Sequence, residues 1–338
     1  MRTMKKPFLT VGIANYNYGK YLVHGWEQIK KQNYSDFEVL YCDDGSTDCS
    51  IQIIRQIIKD NPQYRIRLIE GDNKGILANR NRILDHAEGE YLMICDADDY
   101  MLPLCLKSLC ETAKKHRADC VIGGFVEEDC HGRLLKRHIP PHDACKWLYT
   151  WHHAQIYRMD LVRQKKLRFL DLPDDVFFLQ QIHQYSFKVV FVHRSLYAWV
   201  RHSDSTSTDI MANPDWHPYV IWKKLSFYIA TLCKNLSVAE KSADSQALKY
   251  YLYKWYYFNI LDLPWGKFSL LQAEIYRMRK QMYSVFPSYS SWHTLRYAIR
   301  TRDTHFARTA VLICWIAEKF HMLPFLVLLR TIQHLIKK

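Results

Sequence analysis

Glu90-Tyr91-Leu92-Met93-Ile94-Cys95-Asp96-Ala97-Asp98-Asp99-Tyr100 joins an apolar run to a cluster of acid. The apolar half suits a buried strand, and Gly89 marks its start. Three carboxylates then fall within four residues, Asp96 to Asp99. In an open parallel sheet, ligands bind at the C-terminal ends of the strands. If the chain stays extended here, Asp96 and Asp98 point to one side and Asp99 to the other. Such a pair can share one hard cation: Mg²⁺ or Mn²⁺ takes one or two carboxylates and completes its shell with substrate phosphate. The plainer alternative is an acidic turn that caps the following helix.

Working outward, the same alternation of apolar run and polar loop recurs. Residues 8–13 predict a first strand, followed by the turn Asn15-Tyr16-Asn17-Tyr18-Gly19 and a helix over 20–31. Residues 37–42 predict a second strand that runs into Asp43-Asp44-Gly45-Ser46-Thr47-Asp48. Ser46, Thr47 or Asp48 is then the cap of a helix over 49–59. Residues 66–69 form a third strand and 76–86 a helix that carries Arg80 and Arg82. A helix starts near Pro103, and residues 120–125 read as a fifth strand. Repeated strand–helix units argue for a doubly wound, mainly parallel α/β sheet. Every loop rich in Asp or Asn then lies along one edge of it.

The chain has 338 residues, 49% of them hydrophobic, with a formal charge of +13. That length favours one large domain plus an appendage. The charge calls for an anionic partner such as a nucleotide or a phospholipid surface. Nucleic acid is the poorer choice, because the basic residues gather at the C-terminus beside apolar stretches instead of along one recognition element. The ten cysteines make no CxxC and several sit in apolar runs. With no leader-like pattern over residues 1–7, a reducing cytoplasm is the expected compartment.

Four blocks in order carry a resemblance: Gly12-Ile13-Ala14-Asn15-Tyr16-Asn17, then Asp43 to Asp48, then Asn73-Lys74-Gly75 with Ala78-Asn79-Arg80-Asn81, then Gly89-Glu90-Tyr91 with Asp96 to Asp99. Together they resemble the family 2 glycosyltransferases, inverting enzymes of the GT-A fold that use nucleotide-diphosphate sugars. The resemblance implies a GT-A domain over residues 1–210 and a helical region over 211–338. It implies that Ala14, Asn15, Tyr16, Asp43, Asp44, Asn73, Arg80 and Asp96 line the donor site. Tyr16 and an acid at 43 or 44 would serve the base of a UDP-sugar, Asn73 would lie beside it, and Asp96 would face the ribose. Asp98 would be the direct metal ligand. Taken singly, Asp44 could be a helix cap and Arg80 a solvated helix residue.

A transfer to a hydroxyl also needs a base. The resemblance puts it on the acidic pair of Leu167-Arg168-Phe169-Leu170-Asp171-Leu172-Pro173-Asp174-Asp175-Val176-Phe177-Phe178, with Asp175 as base and Asp174 as its neighbour. Pro-Asp-Asp before an apolar run is also an ordinary helix start. In Leu196-Tyr197-Ala198-Trp199-Val200-Arg201-His202, the resemblance makes His202 a holder of metal or diphosphate. Arg201 stands in for an arginine that the family often has at the place of Val200. Trp151-His152-His153 resembles an acceptor-side strand. His153 would line the acceptor site, though a solvated loop histidine reads more simply.

Cys130, His131, His138, His142, Cys145, His152 and His153 crowd one stretch, but their spacings match no zinc pattern. Pro140 and Pro141 also forbid a helix between His138 and His142. Beyond residue 211 the pattern turns to aromatic, helix-like segments over 217–234, 239–263 and 269–283. The stretches 309–316 and 325–336 are strongly apolar and shorter than the ~20 residues that spanning needs. With their basic flanks they suit a helix in the headgroup region of an anionic leaflet, peripheral on the inner face of the membrane. The alternative is packing on the catalytic core or on a second subunit in a homo-oligomer. The expected activity is transfer from a UDP-sugar to a hydroxyl of a glycan or lipid-linked acceptor. A nucleotidyltransferase shares the sheet and the acids, yet Asn15-Tyr16-Asn17-Tyr18 is poor material for a triphosphate loop. An inactive nucleotide-binding membrane scaffold is the other alternative.

Overall fold

Leu9-Thr10-Val11-Gly12-Ile13-Ala14-Asn15 is buried along its whole length, as a strand covered on both faces must be, and forms β1 (Leu9–Asn15). The structure is a computed structural model that describes residues 6–142, 144–170, 174–202, 220, 222–228, 243–263, 265, 268–285, 303 and 305–336. The chain divides into two units, Met1–Ser203 and Asp204–Lys338.

In the first unit β1 pairs in parallel with β2 (Phe37–Asp43) and β4 (Tyr91–Asp96), and β2 with β3 (Ile66–Glu70). The register sets Ala14 beside Asp96 and Asn15 beside Asp43, so the polar strand ends line up at one edge. Three helices connect these strands: α1 (Gly19–Lys30), α2 (Ser50–Asp60) and α3 (Ile76–His86). Helix α1 buries Leu22, Trp26 and Ile29, one stripe at helical spacing. These join Ile54 and Ile57 of α2 on one face of the sheet. Ile83 and Leu84 of α3 pack on the opposite face with Phe178, Leu179 and Ile182. A methyl at Gly12 would overlap Ile83, so this glycine lets α3 lie close on β1.

The pleat of β4 decides where the acids go. Tyr91, Met93 and Cys95 belong to the core under α1 and α2, whereas Leu92 and Ile94 belong to the core under α3. Period-two alternation therefore sends Asp96 to the α3 side. Beyond Asp96 the chain does not stay extended: Asp99 N–H donates to the Asp96 carbonyl at 3.2 Å, which closes a turn before β5 (Tyr100–Met101). The expected same-side pairing of Asp96 and Asp98 in an extended segment does not hold, because this turn reorients the residues after 96.

Past β4 the sheet becomes mixed, in the order β3-β2-β1-β4-β8-β6-β9-β5, with β7 on β6. Strand β6 (Cys120–Asp129) is longer than expected and is not the next neighbour of β4. The short β8 (Gln155–Arg158) lies between them, antiparallel to both. Helix α4 (Cys105–His116) precedes β6, and β7 (Leu134–His138) turns back on it as an antiparallel strand. After α5 (Met159–Gln164) and α6 (Asp174–Tyr185), β9 (Val189–Arg201) runs parallel to β6.

The described part of the second unit is helical: residues 222–228, α7 (Ala243–Leu261), α8 (Phe268–Val285), α9 (His305–Lys319) and α10 (Leu323–Ile336). Most of the expected helix over 217–234 lies outside the described residues. The interior is aromatic, with Trp222, Tyr250, Tyr251, Tyr256 and Tyr257 buried. Glu318 is buried among them and accepts from Tyr256 Oη at 3.0 Å and Tyr257 Oη at 2.8 Å. These bonds offset the cost of burying a carboxylate. Among the described residues no helix is long and apolar enough to cross a membrane.

Candidate active site

Two loops at the sheet edge are laced together by short polar side chains. Asn15 Nδ2 donates to Asp43 Oδ2 at 2.7 Å, and Ser46 N–H and Oγ–H donate to the same carboxylate. Asn17 Oδ1 accepts from Thr47 N–H at 2.8 Å. Asp48 accepts from Gly19 N–H at 3.0 Å and Ser50 N–H at 2.9 Å. Of the three candidate caps, Asp48 is thus the residue that meets the start of α2. Ser46 and Thr47 bond across to the first loop instead. Gly45 takes φ of +74°, and a Cβ there would lie 2.9 Å from Asn73 N, so the turn needs a glycine.

Asp43 and Asp44 of the second loop are buried. Asp43 is committed to Asn15 and Ser46, which makes it an organiser of the loops. Asp44 accepts from Gly75 N–H at 2.8 Å and Lys74 N–H at 3.2 Å and thereby ties the third loop to the second. Asn73 and Tyr16 are exposed at the rim, Tyr16 by 43%. Ala14 is buried in β1. Asn79 donates to the Cys42 carbonyl at 2.9 Å and the Asn15 carbonyl at 3.3 Å, pinning α3 to the ends of β1 and β2.

Arg80 lies one residue further along α3, and its side chain is 7% exposed. Its Nη2 is 2.8 Å from Asp96 Oδ1, and its Nη1 is 2.5 Å from Asp175 Oδ1. The guanidinium also sits 5.8 Å over the Phe169 ring. The solvated-helix reading of Arg80 is therefore wrong, because the pleat of β4 and the start of α6 deliver two carboxylates to it. Burial works against charge on Asp96, but Arg80, joined by other neighbouring groups, outweighs it and holds Asp96 below the usual carboxylate range. Asp175 goes the other way: burial, with help from Asp96, raises it despite Arg80. Asp175 remains 25% exposed, and His152 Nε2 is 3.3 Å from its Oδ1. Asp174 begins α6, and its side chain lies outside the described residues.

Asp98 meets the other wall of the site. Its Oδ2 is 2.8 Å from His202 Nε2, and the His202 ring packs 5.0 Å from Tyr21. Burial first, then Asp96, raises Asp98, and the bond to His202 opposes them. Asp99 is the anchor beneath. It accepts from Tyr197 Oη–H and from Val200 N–H, both at 2.9 Å, and so fastens the end of β9 under the acid loop. His153 is buried, stacked between Tyr197 and Trp199, 3.8 Å from Asp99. The reading of His153 as a solvated loop residue fails, and burial pushes it down to about 3, so the ring is neutral. Arg201 is exposed and lies 4.4 Å over the Trp199 ring.

The structure thus brings Asp96, Asp98, Arg80, Asp175 and His202 to one edge and leaves Arg201 stacked on the sheet beside it. Sequence reasoning missed His152, Asp99 and Tyr197. The Trp151-His152-His153 segment was a signal for the first, but nothing local points to the others. Among the described residues no group of three or more His, Cys, Asp or Glu side chains could hold a metal, the cysteine–histidine stretch included. Asp98 and Asp96 fall short of such a group by themselves, so a hard cation beside them would need phosphate oxygens to finish its shell, as Mg²⁺, which usually takes only one or two carboxylates, does.

The family model for Glycosyl transferase family 2 matches residues 10–191, more than half of the chain, and includes Arg80, Asp96, Asp98 and Asp175. The chain belongs to glycosyl transferase family 2. It is similar to the glycosyltransferase GlyG of Streptococcus pneumoniae serotype 4, 28% identical over 219 residues, which cover 58% of this chain and 72% of GlyG. It is 28% identical over 258 residues to the hyaluronan synthase of Pasteurella multocida, covering 73% of this chain and 24% of that one. The chondroitin synthase of Escherichia coli is 37% identical over 138 residues, 39% of this chain and 19% of its own length. Among solved structures, S. aureus TarS 1–349 in complex with UDP-GlcNAc superposes with a TM-score of 0.64 at 18% identity, over 91% of this chain and 89% of that one. The fold is therefore the GT-A fold, carried by an enzyme of the glycosyltransferase class.

Proposed function

We propose that the chain is an inverting glycosyltransferase that moves a sugar from a UDP-sugar to a hydroxyl of a glycan or lipid-linked acceptor. The observation that carries this reading is the double pairing of Arg80 with Asp96 and Asp175, which sets a raised, partly exposed carboxylate beside the acid loop. In this reading Tyr16 offers its ring to the base, Asp44 supplies an acceptor for uracil N3–H, and Asn73 lies beside the base. Asn15 and Asp43 shape the loop that holds them, Ala14 lets the donor lie close to β1, and Asp96 faces the ribose. The UDP moiety is supported by the ligand named for TarS, and a glycan acceptor by the names of the two synthases.

Asp98, with Asp96 through water and His202 alongside, would hold Mg²⁺ or Mn²⁺, which when bound supplies Lewis-acid stabilisation to the departing diphosphate. Asp175 takes the proton of the acceptor hydroxyl as that oxygen attacks the anomeric carbon from the face opposite the diphosphate. Arg80 and His152 both meet Oδ1 of Asp175 and so fix the orientation of the carboxylate that receives the proton. Asp174 supports the acid pair at the head of α6, and Arg201 adds positive charge at the rim for the leaving group. Near-neutral His153 belongs to the packing behind this wall.

The test is a donor screen that follows release of free nucleoside diphosphate, with and without Mn²⁺, followed by the anomeric configuration of the product by NMR. Turnover of a UDP-sugar with inversion, abolished in Asp175→Asn, is the expected result. Retention of configuration, or full activity in Asp175→Asn, overturns the assignment of the base.

A further inference from the structure

Helices α9 and α10 each carry two apolar faces, and only one of them is used within the unit. Inward, Ala307, Val311, Cys314 and Ala317 of α9 and Leu323 and Val327 of α10 are buried. Outward, α9 exposes Phe306, Ile313 and Ile316, the residue that follows the helix, Phe320, is exposed too, and α10 exposes Phe325, Leu329 and Ile332. Both outward sets recur at helical spacing, so each is a continuous stripe and not a scatter of single residues. The exposure is large: Phe306 is 76%, Phe320 72% and Leu329 60% exposed. Phe268 at the start of α8 extends the stripe, its ring 6.3 Å from that of Phe325.

Among the described residues the charges of the second unit are mostly basic. Where side chains of the second unit are described, ten are Lys or Arg and four are acids, namely Asp262, Glu274, Asp303 and Glu318. Each of the four is already engaged: Asp262 by Arg330, Glu274 by Arg277, Asp303 by Lys254, and Glu318 by Tyr256 and Tyr257. A second copy of the chain laid face to face would oppose like charges across the contact. An anionic leaflet is complementary, with apolar side chains entering the headgroup boundary while the exposed Lys319 meets lipid phosphate. Neither helix is long and apolar enough to span, which is the form expected of an element that lies in the interface.

We infer that the α9–α10 hairpin docks on an anionic phospholipid surface through the stripe from Phe306 to Phe320 and its continuation from Phe325 to Ile332. This inference is separate from the transferase reading, since vesicle partition is measured with no donor or acceptor present. The full chain is floated with vesicles of phosphatidylcholine alone and of phosphatidylcholine with added phosphatidylglycerol, at low and high salt. The expected result is flotation only with the anionic vesicles, reversed by salt, because exposed charges are screened. The double substitution Phe320→Ser and Leu329→Ser should lower the partition coefficient about tenfold or more. Circular dichroism should show these exposed positions leaving the fold intact. Lys319→Gln should weaken binding at low salt and leave the high-salt value unchanged. No flotation with either vesicle, or equal flotation with both, overturns the inference. So does a dimer seen by light scattering that the double substitution dissolves while vesicle binding is absent.

Discussion

Arg80 Nη1 stands 2.5 Å from Asp175 Oδ1, and the other arm of the same guanidinium is 2.8 Å from Asp96 Oδ1. One cation from α3 thus joins the end of β4 to the head of α6. It does so with the planar two-armed geometry that lysine lacks.

Removing the proposed base tests the chemistry most directly. Asp175→Asn keeps the side-chain shape and a hydrogen-bond acceptor for Arg80 but cannot take a proton. Turnover should fall by ~10² to 10⁴. Donor affinity, measured by calorimetry, should stay within about twofold, since a base acts in the transition state and not on the bound ground state.

Arg80→Gln should leave Asp96 and Asp175 without their cation. Both carboxylates keep some solvent, so the expected loss of stability is ~1–3 kcal/mol, below that of a fully buried pair. Chemical denaturation would measure it. Arg80→Lys should recover only part of the loss, because one ammonium does not span both acids.

The two acids on Arg80 should respond oppositely to pH. Asp175 is raised, chiefly by burial, so the acidic limb of kcat/KM should lie above the ordinary carboxylate value of ~3.9 and move higher still in Arg80→Gln. In stability terms a raised Asp175 contributes most below its unfolded value, and that contribution fades as pH rises through the folded one. Asp96 is lowered, so its contribution is present above the unfolded value and is lost as pH falls through the folded one. Thermal midpoints against pH for the wild type and Asp96→Asn should differ by an acid-side slope. If the two curves are parallel throughout, the ion pair is not the source.

Chelation should stop transfer, and added Mn²⁺ or Mg²⁺ should restore it. Asp98→Asn should raise the metal concentration for half activity by ~100-fold or more, and His202→Ala by less, since His202 also positions Asp98. An unchanged metal response in Asp98→Asn removes that residue from the ligand set.

Tyr197→Phe deletes the hydroxyl that bonds Asp99 and should cost ~1–3 kcal/mol, because a buried carboxylate loses a donor. The end of β9 should loosen with it. Amide exchange at Val200, whose N–H also bonds Asp99, reports this locally.

Much of the first unit was legible in the chain alone. Strands β1, β2 and β4 announce themselves as apolar runs because both of their faces are covered, and each run stops at a loop of Asp and Asn. Helix α3 was readable from residue 76 to 86, and Arg80 was recognisable in its motif. These signals are local: they depend on residues a few positions apart. What escaped depends on distance in sequence. The turn from Asp96 to Asp99 overrode the extended alternation that had turned Asp99 away, and made it the buried anchor of Tyr197 and Val200. Strand β8 enters antiparallel between β4 and β6, which no period in its four residues foretells.

By itself, then, the sequence determined which residue types gather at the sheet edge, since motif and hydrophobic period are written in consecutive residues. Only the tertiary structure decided which of them touch. Arg80 meets Asp175 across 95 positions, and Asp98 meets His202 across 104. Those pairings exist because packing of α3 and α6 against the sheet, and the pairing of β9 within it, removes the water that would otherwise keep the charges apart.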